Sequence, residues 1–446
     1  MKFELSTYGE LSLESSPINK MTETFSRDFR EGIDINLGVG YVNDETIPNQ
    51  ELLECFKDVL NNTTTYKNPL NYGAAVGSLN LQNAIKDYYC NNAVGNLQES
   101  DFKNLNIHIG ANGATSILDA ISDILPQGVI FTVEPMYYIY TETLIRKGFT
   151  ICPIPEDSEG AITSVLEQKL QEHSLDKISF FYFITVNNPS TIILSNKRKK
   201  EIIEIATKYS KKRGKIIPVI FDKAYEDIIY SKEVEKPISP LLFDTIGNII
   251  EVGTLSKLIA PALRIGYAIS KKSELFNALI QRTNDIGFSA PLINQEISAN
   301  FLKKNIKKHR EKVNLGYLEK AQKLISLIET HLGKHILQYS GGKAGFYFYL
   351  TFNDIETHSK SDFYKFLTRT TGDINIDEEN STKKPRLIYI PGEICVQKNG
   401  EFVELGNRQL RISFGFEDIS VLEKAILLMK DAIEYIEKKS QLGVGI

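Results

Sequence analysis

The sequence predicts an α/β protein: a mainly parallel sheet sandwiched by helices, followed by a smaller α+β domain. Three observations lead there. Between residues 106 and 271, short apolar runs alternate with amphipathic stretches of helix length, a pattern that calls for parallel strands with helices on both faces. One run, Ile178 to Val186, is apolar and aromatic almost throughout, as suits a strand covered on both sides. After Lys271 the texture changes to long helices and then to scattered strand-like runs. A length of 446 residues agrees with two domains. The expected divisions are 1–45 as an N-terminal arm and part of the small domain, 46–300 as the large domain, and 301–446 as the small C-terminal domain.

Taken in order, the first 30 residues are polar and mixed, an arm with a short helix. Ile35 to Tyr41 contains Gly38 and Gly40, which allow a sharp turn or a close approach to a ligand. Glu51 to Leu60 has helical spacing, Asn71 to Gly77 is a loop, and Leu79 to Tyr89 is an amphipathic helix with Leu79, Leu81, Ile85 and Tyr89 on one face. The strand Asn106 to Ile109, with His108 as a packed residue, opens into Gly110 to Ser116 and the helix Ile117 to Leu125. Small residues at such a junction leave N–H groups at the positive end of the helix dipole, which suits a phosphate. A helix simply capped by Thr115 or Ser116 is the alternative.

Strands follow at Val129–Val133, Phe149–Pro153, Ile178–Val186 and Ile216–Phe221, with helices at Tyr138–Lys147, Ile162–Glu172 and Lys197–Lys212 between them. The runs Lys197–Lys200 and Lys211–Arg213 read as solvated ends of the last helix. The strand Asn248–Val252 leads into Gly253–Tyr267, which holds Lys257. Helices are expected at Glu274–Asn284, Asn294–Leu327 and Ser420–Ile436, strands at Phe346–Leu350, Arg386–Tyr389 and Leu410–Phe414, and a loop over Asp373–Lys384.

Bulk properties exclude several classes. A net charge of -4 argues against nucleic-acid binding as the main role. Four scattered cysteines give neither metal spacing nor a disulfide framework, which fits a reducing compartment. Met1 to Leu5 has no signal-peptide character, and no apolar run approaches the roughly 20 residues needed to cross a bilayer. A cytoplasmic protein is expected, without membrane or nucleic-acid partners.

Ligands of such sheets bind beyond the carboxyl ends of the strands. The chemically distinctive residues fall there: Gly113, Ala114 and Thr115, then Tyr137, Asn188, Asp222 with Tyr225, and Thr254 with Lys257. A lysine at a strand end inside a core is costly unless it is paired or loses its charge. A covalent imine removes that charge, and such a lysine is the usual anchor for pyridoxal phosphate; a turn with a solvated lysine is the alternative for this segment alone. Thr254 and Arg264 supply the hydroxyl and cation that a phosphate monoester wants. Asp222 ends an apolar strand, and a buried carboxylate needs a cation, which a protonated pyridine nitrogen would be. Tyr225 and Asn188 are placed to hydrogen-bond a ring oxygen, although Asn188-Pro189 is also ordinary turn chemistry. Tyr137 offers a face for stacking. Arg411, in a late apolar strand, wants a carboxylate and suits a bidentate clamp.

Together these motifs resemble the class I/II aminotransferases of the fold-type I pyridoxal phosphate enzymes over nearly the whole chain. The resemblance runs through Leu37-Gly38-Val39-Gly40, Tyr72 with Gly77, Gly113-Ala114-Thr115, Pro135-Met136-Tyr137, Asn188-Pro189, Asp222-Lys223-Ala224-Tyr225, Ser256-Lys257 with Arg264, and Leu410-Arg411-Ile412. It implies that Lys257 anchors the cofactor as a Schiff base and acts as the catalytic base with Asp222 and Tyr225 beside it. Asp222 would pair with the ring nitrogen, Asn188 and Tyr225 would hold the ring oxygen, and Tyr137 would stack. Gly113, Ala114, Thr115, Thr254 and Arg264 would bind phosphate, joined by Tyr72 from a neighbouring subunit, which implies a homodimer with shared sites. Arg411, with Asn188 and Gly38, would bind the substrate.

The implied reaction is ping-pong transfer of the amino group of an L-amino acid to a 2-oxo acid. Other pyridoxal phosphate reactions (β-elimination, decarboxylation, oxidation) share its early steps and stay open. So does a non-catalytic sensing module, although regulators of that kind usually carry a DNA-binding domain in front and the motifs here begin by Leu37. Three departures from the family pattern bear on subgroup and substrate: Lys223 where an acid is usual after the aspartate, Ser190 to Ile192 where glycine is frequent, and Ala262 where glycine is common. Tyr41, Tyr138 and Tyr140 near the motifs permit an aromatic or apolar substrate.

Overall fold

Eight strands build the central sheet, in the spatial order Leu105–Ile109, Gly266–Lys271, Ile249–Thr254, Val219–Asp222, Ile178–Ile184, Val129–Glu134, Thr150–Asp157 and Gly160–Ala161. The computed structural model describes residues 3–441. The strands from Ile249–Thr254 across to Thr150–Asp157 are mutually parallel. Gly266–Lys271 runs against both of its neighbours, and Gly160–Ala161 is an antiparallel edge. Every residue of Ile178–Ile184 is buried, which is why its sequence shows no polar alternation.

Side chains alternate across the sheet and feed two cores. On one face Ile220, Ile250 and Val252 pack under the helices Gly113–Ile124, Tyr138–Arg146 and Glu274–Asp285. On the other, Val219, Phe221 and Ile249 meet helices that include Leu79–Asn91, Asn196–Arg213 and Leu292–Lys304. A third core joins Ile35, Leu37 and Val42 to residues between 313 and 433. There, an antiparallel sheet in the order Ile336–Gly341, Tyr347–Phe352, Gln409–Ser413 and Ile390–Pro391 packs with the helices Ile306–His331 and Ile419–Gln441. Ile35–Asn36 pairs in parallel with Leu387–Ile388, so the early chain closes against the late one.

Four local expectations change. The helix expected over Asn294–Leu327 is two helices, broken at Asn305, where the backbone leaves the helical region at φ -124°; asparagine competes for backbone hydrogen bonds and weakens a helix interior. Leu79 is 69% exposed, because Ser78 caps the helix and Leu79 is its first residue; the buried face is Leu81, Ala84, Ile85, Tyr88 and Tyr89. Lys199, expected in solvent, is buried on the helix face that carries Ile202, Ile203 and Ala206, with Glu226 3.5 Å away. The loop over Asp373–Lys384 contains a helical turn, Ile374–Asp377, and a small hairpin, and Arg30 donates to the carbonyls of Lys383 and Lys384. Among the described residues no helix is long and apolar enough to cross a membrane, and no cluster of His, Cys, Asp and Glu could hold a metal.

Candidate active site

Five parallel strands point their carboxyl ends toward a cavity of about 150 Å³. Ala114, Thr115, Thr254, Lys257 and Arg264 line it, together with Tyr137, Asn188, Asp222 and Tyr225. Residues separated by up to 150 positions converge because each follows a strand of one sheet, and each strand ends at the same edge of it. A wider cleft of about 1130 Å³ opens alongside, sharing Thr115, Tyr137 and Arg264, and Tyr72 lies on it. Tyr72 is 83% exposed, with Phe288 5.7 Å away as its aromatic neighbour, so it does not reach into the smaller cavity of its own chain.

Lys257 sits in the turn that follows Ile249–Thr254. Its Nζ donates to the Gly40 carbonyl at 2.9 Å and lies 5.8 and 5.6 Å from the ring centres of Tyr225 and Phe346. No carboxylate among the described residues pairs with it. Burial, with Arg411 and Arg264 nearby, pulls its pKa down to about 8, because removing an ammonium from water without a counter-charge favours the neutral amine.

Asp222 has the complementary problem. It is 4% exposed, accepts from the Ala224 N–H and the Tyr182 hydroxyl, each at 2.9 Å, and has no cationic partner among the described residues. Burial raises its pKa. Tyr225 and Tyr347 share a hydroxyl–hydroxyl bond of 2.8 Å, and Gly40 must be glycine here, since a Cβ would fall 2.3 Å from the Tyr347 oxygen.

The helix Gly113–Ile124 opens with no side chain capping its first turn, so neither Thr115 nor Ser116 is the cap. Ser116 instead accepts from the Asn112 N–H and donates to the Gly113 carbonyl. Gly113 has φ +67°, and a Cβ there would lie 2.8 Å from an Arg264 nitrogen. Arg264, itself at φ +55°, is aimed by donation to the Asn112 side-chain oxygen at 2.6 Å and to the Pro261 carbonyl. Thr254 Oγ1 lies 2.8 Å from the Ile265 carbonyl and 2.9 Å from the Ser256 hydroxyl, so Ser256 joins this end of the cavity.

Arg411, 2% exposed on the strand Gln409–Ser413, stacks 4.3 Å from the Tyr347 ring. It donates to Asn188 Oδ1 at 2.8 Å and to the Gly38 carbonyl, and its Nε has no partner among the described residues. A buried guanidinium with an idle donor and no carboxylate is prepared for an anion that the chain does not supply.

Residues 33–417 match the family described as aminotransferase class I and II. The chain belongs to that family. Its cofactor is accordingly pyridoxal 5'-phosphate. Among curated relatives, aromatic-amino-acid aminotransferase 1 of Thermococcus litoralis is 29% identical over 238 residues, 52% of this chain and about half (53%) of that relative. The HTH-type transcriptional regulator NorG of Staphylococcus aureus is 22% identical over 395 residues, covering 88% of this chain and 79% of the regulator. Among solved structures, a multiple substrate aminotransferase from Thermococcus profundus superposes with a TM-score of 0.80 at 19% identity, over 98% of both chains. Kynurenine aminotransferase of Pyrococcus horikoshii gives 0.78 at 19% identity, over 96% of both.

The cavity fits this cofactor chemically. It offers an uncapped helix start and an arginine for a phosphate, an unpaired carboxylate for a ring nitrogen, and an unpaired amine for a carbonyl. Two members of the site, Tyr182 and Tyr347, carry no mark in the sequence, and a third, Ser256, has no role assigned there. Ser256 was visible only as a neighbour of Lys257. Tyr182 and Tyr347 look like core aromatics in apolar strands, and nothing local marks their hydroxyls, whose partners are 40 and 122 residues away.

Proposed function

We propose that this chain is a pyridoxal phosphate-dependent aminotransferase that moves the amino group of an L-amino acid to a 2-oxo acid by a ping-pong route. The observation that carries this is the pairing of two unmet charges in one cavity: among the described residues, a half-buried Lys257 amine has no carboxylate and a buried Asp222 carboxylate has no cation. When bound, pyridoxal phosphate supplies a carbonyl that takes up an amine and a ring that spreads negative charge. Lys257 is the anchor and the base that takes the substrate's Cα proton and returns it. Asp222, oriented by the Tyr182 and Ala224 donors, holds the proton on the ring nitrogen. Asn188, whose Oδ1 is engaged by Arg411, has its Nδ2 left for the ring oxygen, with the Tyr225 hydroxyl. Tyr137 stacks, and Gly113, Ala114, Thr115, Thr254, Ser256 and Arg264 hold the phosphate. Arg411 clamps the substrate carboxylate through its idle Nε, with Gly38 at its side.

The exposed Tyr72 supports a homodimer in which this tyrosine serves the neighbouring site. The hydrophobic cores favour a large unit at 46–300 and a small one from 1–45 and 301–446, with Val186, Tyr225, Ile228 and Tyr230 of the large unit packed into the small unit's core. Four free cysteines agree with the cytoplasm.

The test is a spectral screen of the cofactor-loaded protein. Amino acids are added singly with no oxo acid present, and the visible cofactor band should convert to the pyridoxamine form with one oxo acid released per site. Ammonia, CO2 or peroxide release without an acceptor would point instead to elimination, decarboxylation or oxidation. The breadth of the match to NorG favours one further reading, a ligand-sensing module; its signature would be ligand binding without conversion.

A further inference from the structure

Beneath the site, on the opposite face of the sheet, lies a cluster of buried charges that the proposed reaction does not touch. Lys223 follows Asp222 directly, and the strand's alternation sends the two side chains to opposite faces. Lys223 is 5% exposed, with Nζ 3.0 Å from a Glu226 oxygen and 3.0 Å from Glu251 Oε2. The Tyr89 ring lies 4.9 Å away. Glu226 also faces Lys199 at 3.5 Å, and Glu251 accepts from the Ser239 hydroxyl at 2.5 Å.

The geometry of these pairs is that of a clamp. Lys223 directly follows Asp222 and Glu226 directly follows Tyr225, so their ion pair closes that turn from below. Glu251 belongs to the next strand, Ile249–Thr254, which runs directly into Lys257. One ammonium thus ties the Asp222–Tyr225 turn to the strand that delivers Lys257. The backbone repeats the tie, since the Lys223 N–H donates to the Val252 carbonyl at 2.8 Å. Stability alone does not require such a cluster, because well-packed apolar residues in place of a buried ion pair are often neutral or stabilising. A directional pairing of four charges restricts where the turn can sit in a way that apolar packing does not.

We propose that Lys223 is a positioning residue. Clamped between Glu226 and Glu251, it sets the distance of Asp222 and Tyr225 from Lys257. Lys223 does not line the cavity and acts through those residues. The proposal rests on reading Asp222 as a cofactor-binding residue, so the test includes that residue as a reference.

Two variants separate positioning from stability. Lys223→Met combined with Glu251→Gln removes one charge of each sign and leaves Glu226 with Lys199. Glu251→Gln alone keeps the Lys223–Glu226 pair and releases only the tie between strands. Each apo protein is titrated with pyridoxal phosphate by fluorescence, and kcat, KM and Tm are measured beside Asp222→Ala. A displacement of about 1 Å at a reacting centre costs on the order of 10²-fold. We therefore expect the double variant to weaken cofactor binding and lower kcat by roughly tenfold or more, with KM for the amino donor nearly unchanged and Tm near the parent value. Glu251→Gln should move the same quantities the same way by a smaller factor. Cofactor affinity and kcat within about twofold of the parent in both variants, whatever happens to Tm, would overturn the clamp. An Asp222→Ala protein that binds cofactor as tightly as the parent would overturn the site reading first, and the clamp with it.

Discussion

Two lysines, Lys223 buried and Lys257 half-buried, stand at neighbouring strand ends of one sheet, in opposite surroundings. Lys223 has two carboxylates at 3.0 Å, which hold its proton more firmly than in water. Lys257 has a carbonyl, aromatic rings and two guanidinium groups nearby, and desolvation with those like charges takes its pKa down to about 8. Two buried arginines repeat the contrast. Arg386 spends its donors on Asp28 and Asp34, while Arg411 has only amide oxygens and an idle Nε. A cation neutralised within the chain is a structural tie. One left without a carboxylate is held for a partner that arrives from outside.

The sharpest way to break this contrast is Lys257→Ala, which should abolish the lysine-bound cofactor band and lower turnover by about 10⁴-fold, the upper range for a general base. Retained turnover would place Lys257 among the structural lysines. Next comes Arg386→Ala. It leaves buried Asp34 with Arg30 as its remaining cation, strips away the charge-assisted bonds from Arg386, and should cost about 3 kcal/mol in urea unfolding, with kcat of the folded protein unchanged. Arg386 and Arg30 depress the pKa of Asp34, so this group's contribution to stability is present above about pH 4 and is lost as pH falls below it. The parent and variant unfolding curves should therefore converge in acid.

Arg411→Lys should cost about 3 kcal/mol in kcat/KM for the amino donor, because an ammonium cannot reproduce the fork. Tm should barely move, since no internal carboxylate loses a partner. The mildest effect is on pH. The neutral Lys257 amine is the nucleophile, so the rate of cofactor capture by apo protein should rise about tenfold per pH unit and flatten above about pH 8. The same depressed pKa means that apo stability rises with pH between about 8 and the unfolded lysine value of about 10.4. A capture rate still climbing tenfold per unit above pH 9 would show that Lys257 is not desolvated.

Much of this was legible in the chain. The alternation of apolar runs and helical stretches between 106 and 271 announced the parallel sheet, and a polar or small residue just past each strand announced its binding edge. Lys199 shows where such reading stops. Four consecutive basic residues look solvated, yet helical periodicity turns the third inward, and only Glu226, far along the chain, shows why burial is tolerated. Tyr347 is similar: one aromatic among several in a strand, whose hydroxyl meets Tyr225 across the fold.

The sequence by itself determined the fold class, the strand order along the chain and the chemical types waiting at the strand ends. These follow from local periodicity, which is written in neighbouring residues. Tertiary structure alone decided which cations are neutralised and which are left wanting, because a charge's partners come from segments tens to hundreds of residues away. Lys223 and Lys257 are the same residue type at the ends of adjacent strands, and only the carboxylates that packing brings to one and withholds from the other make them different.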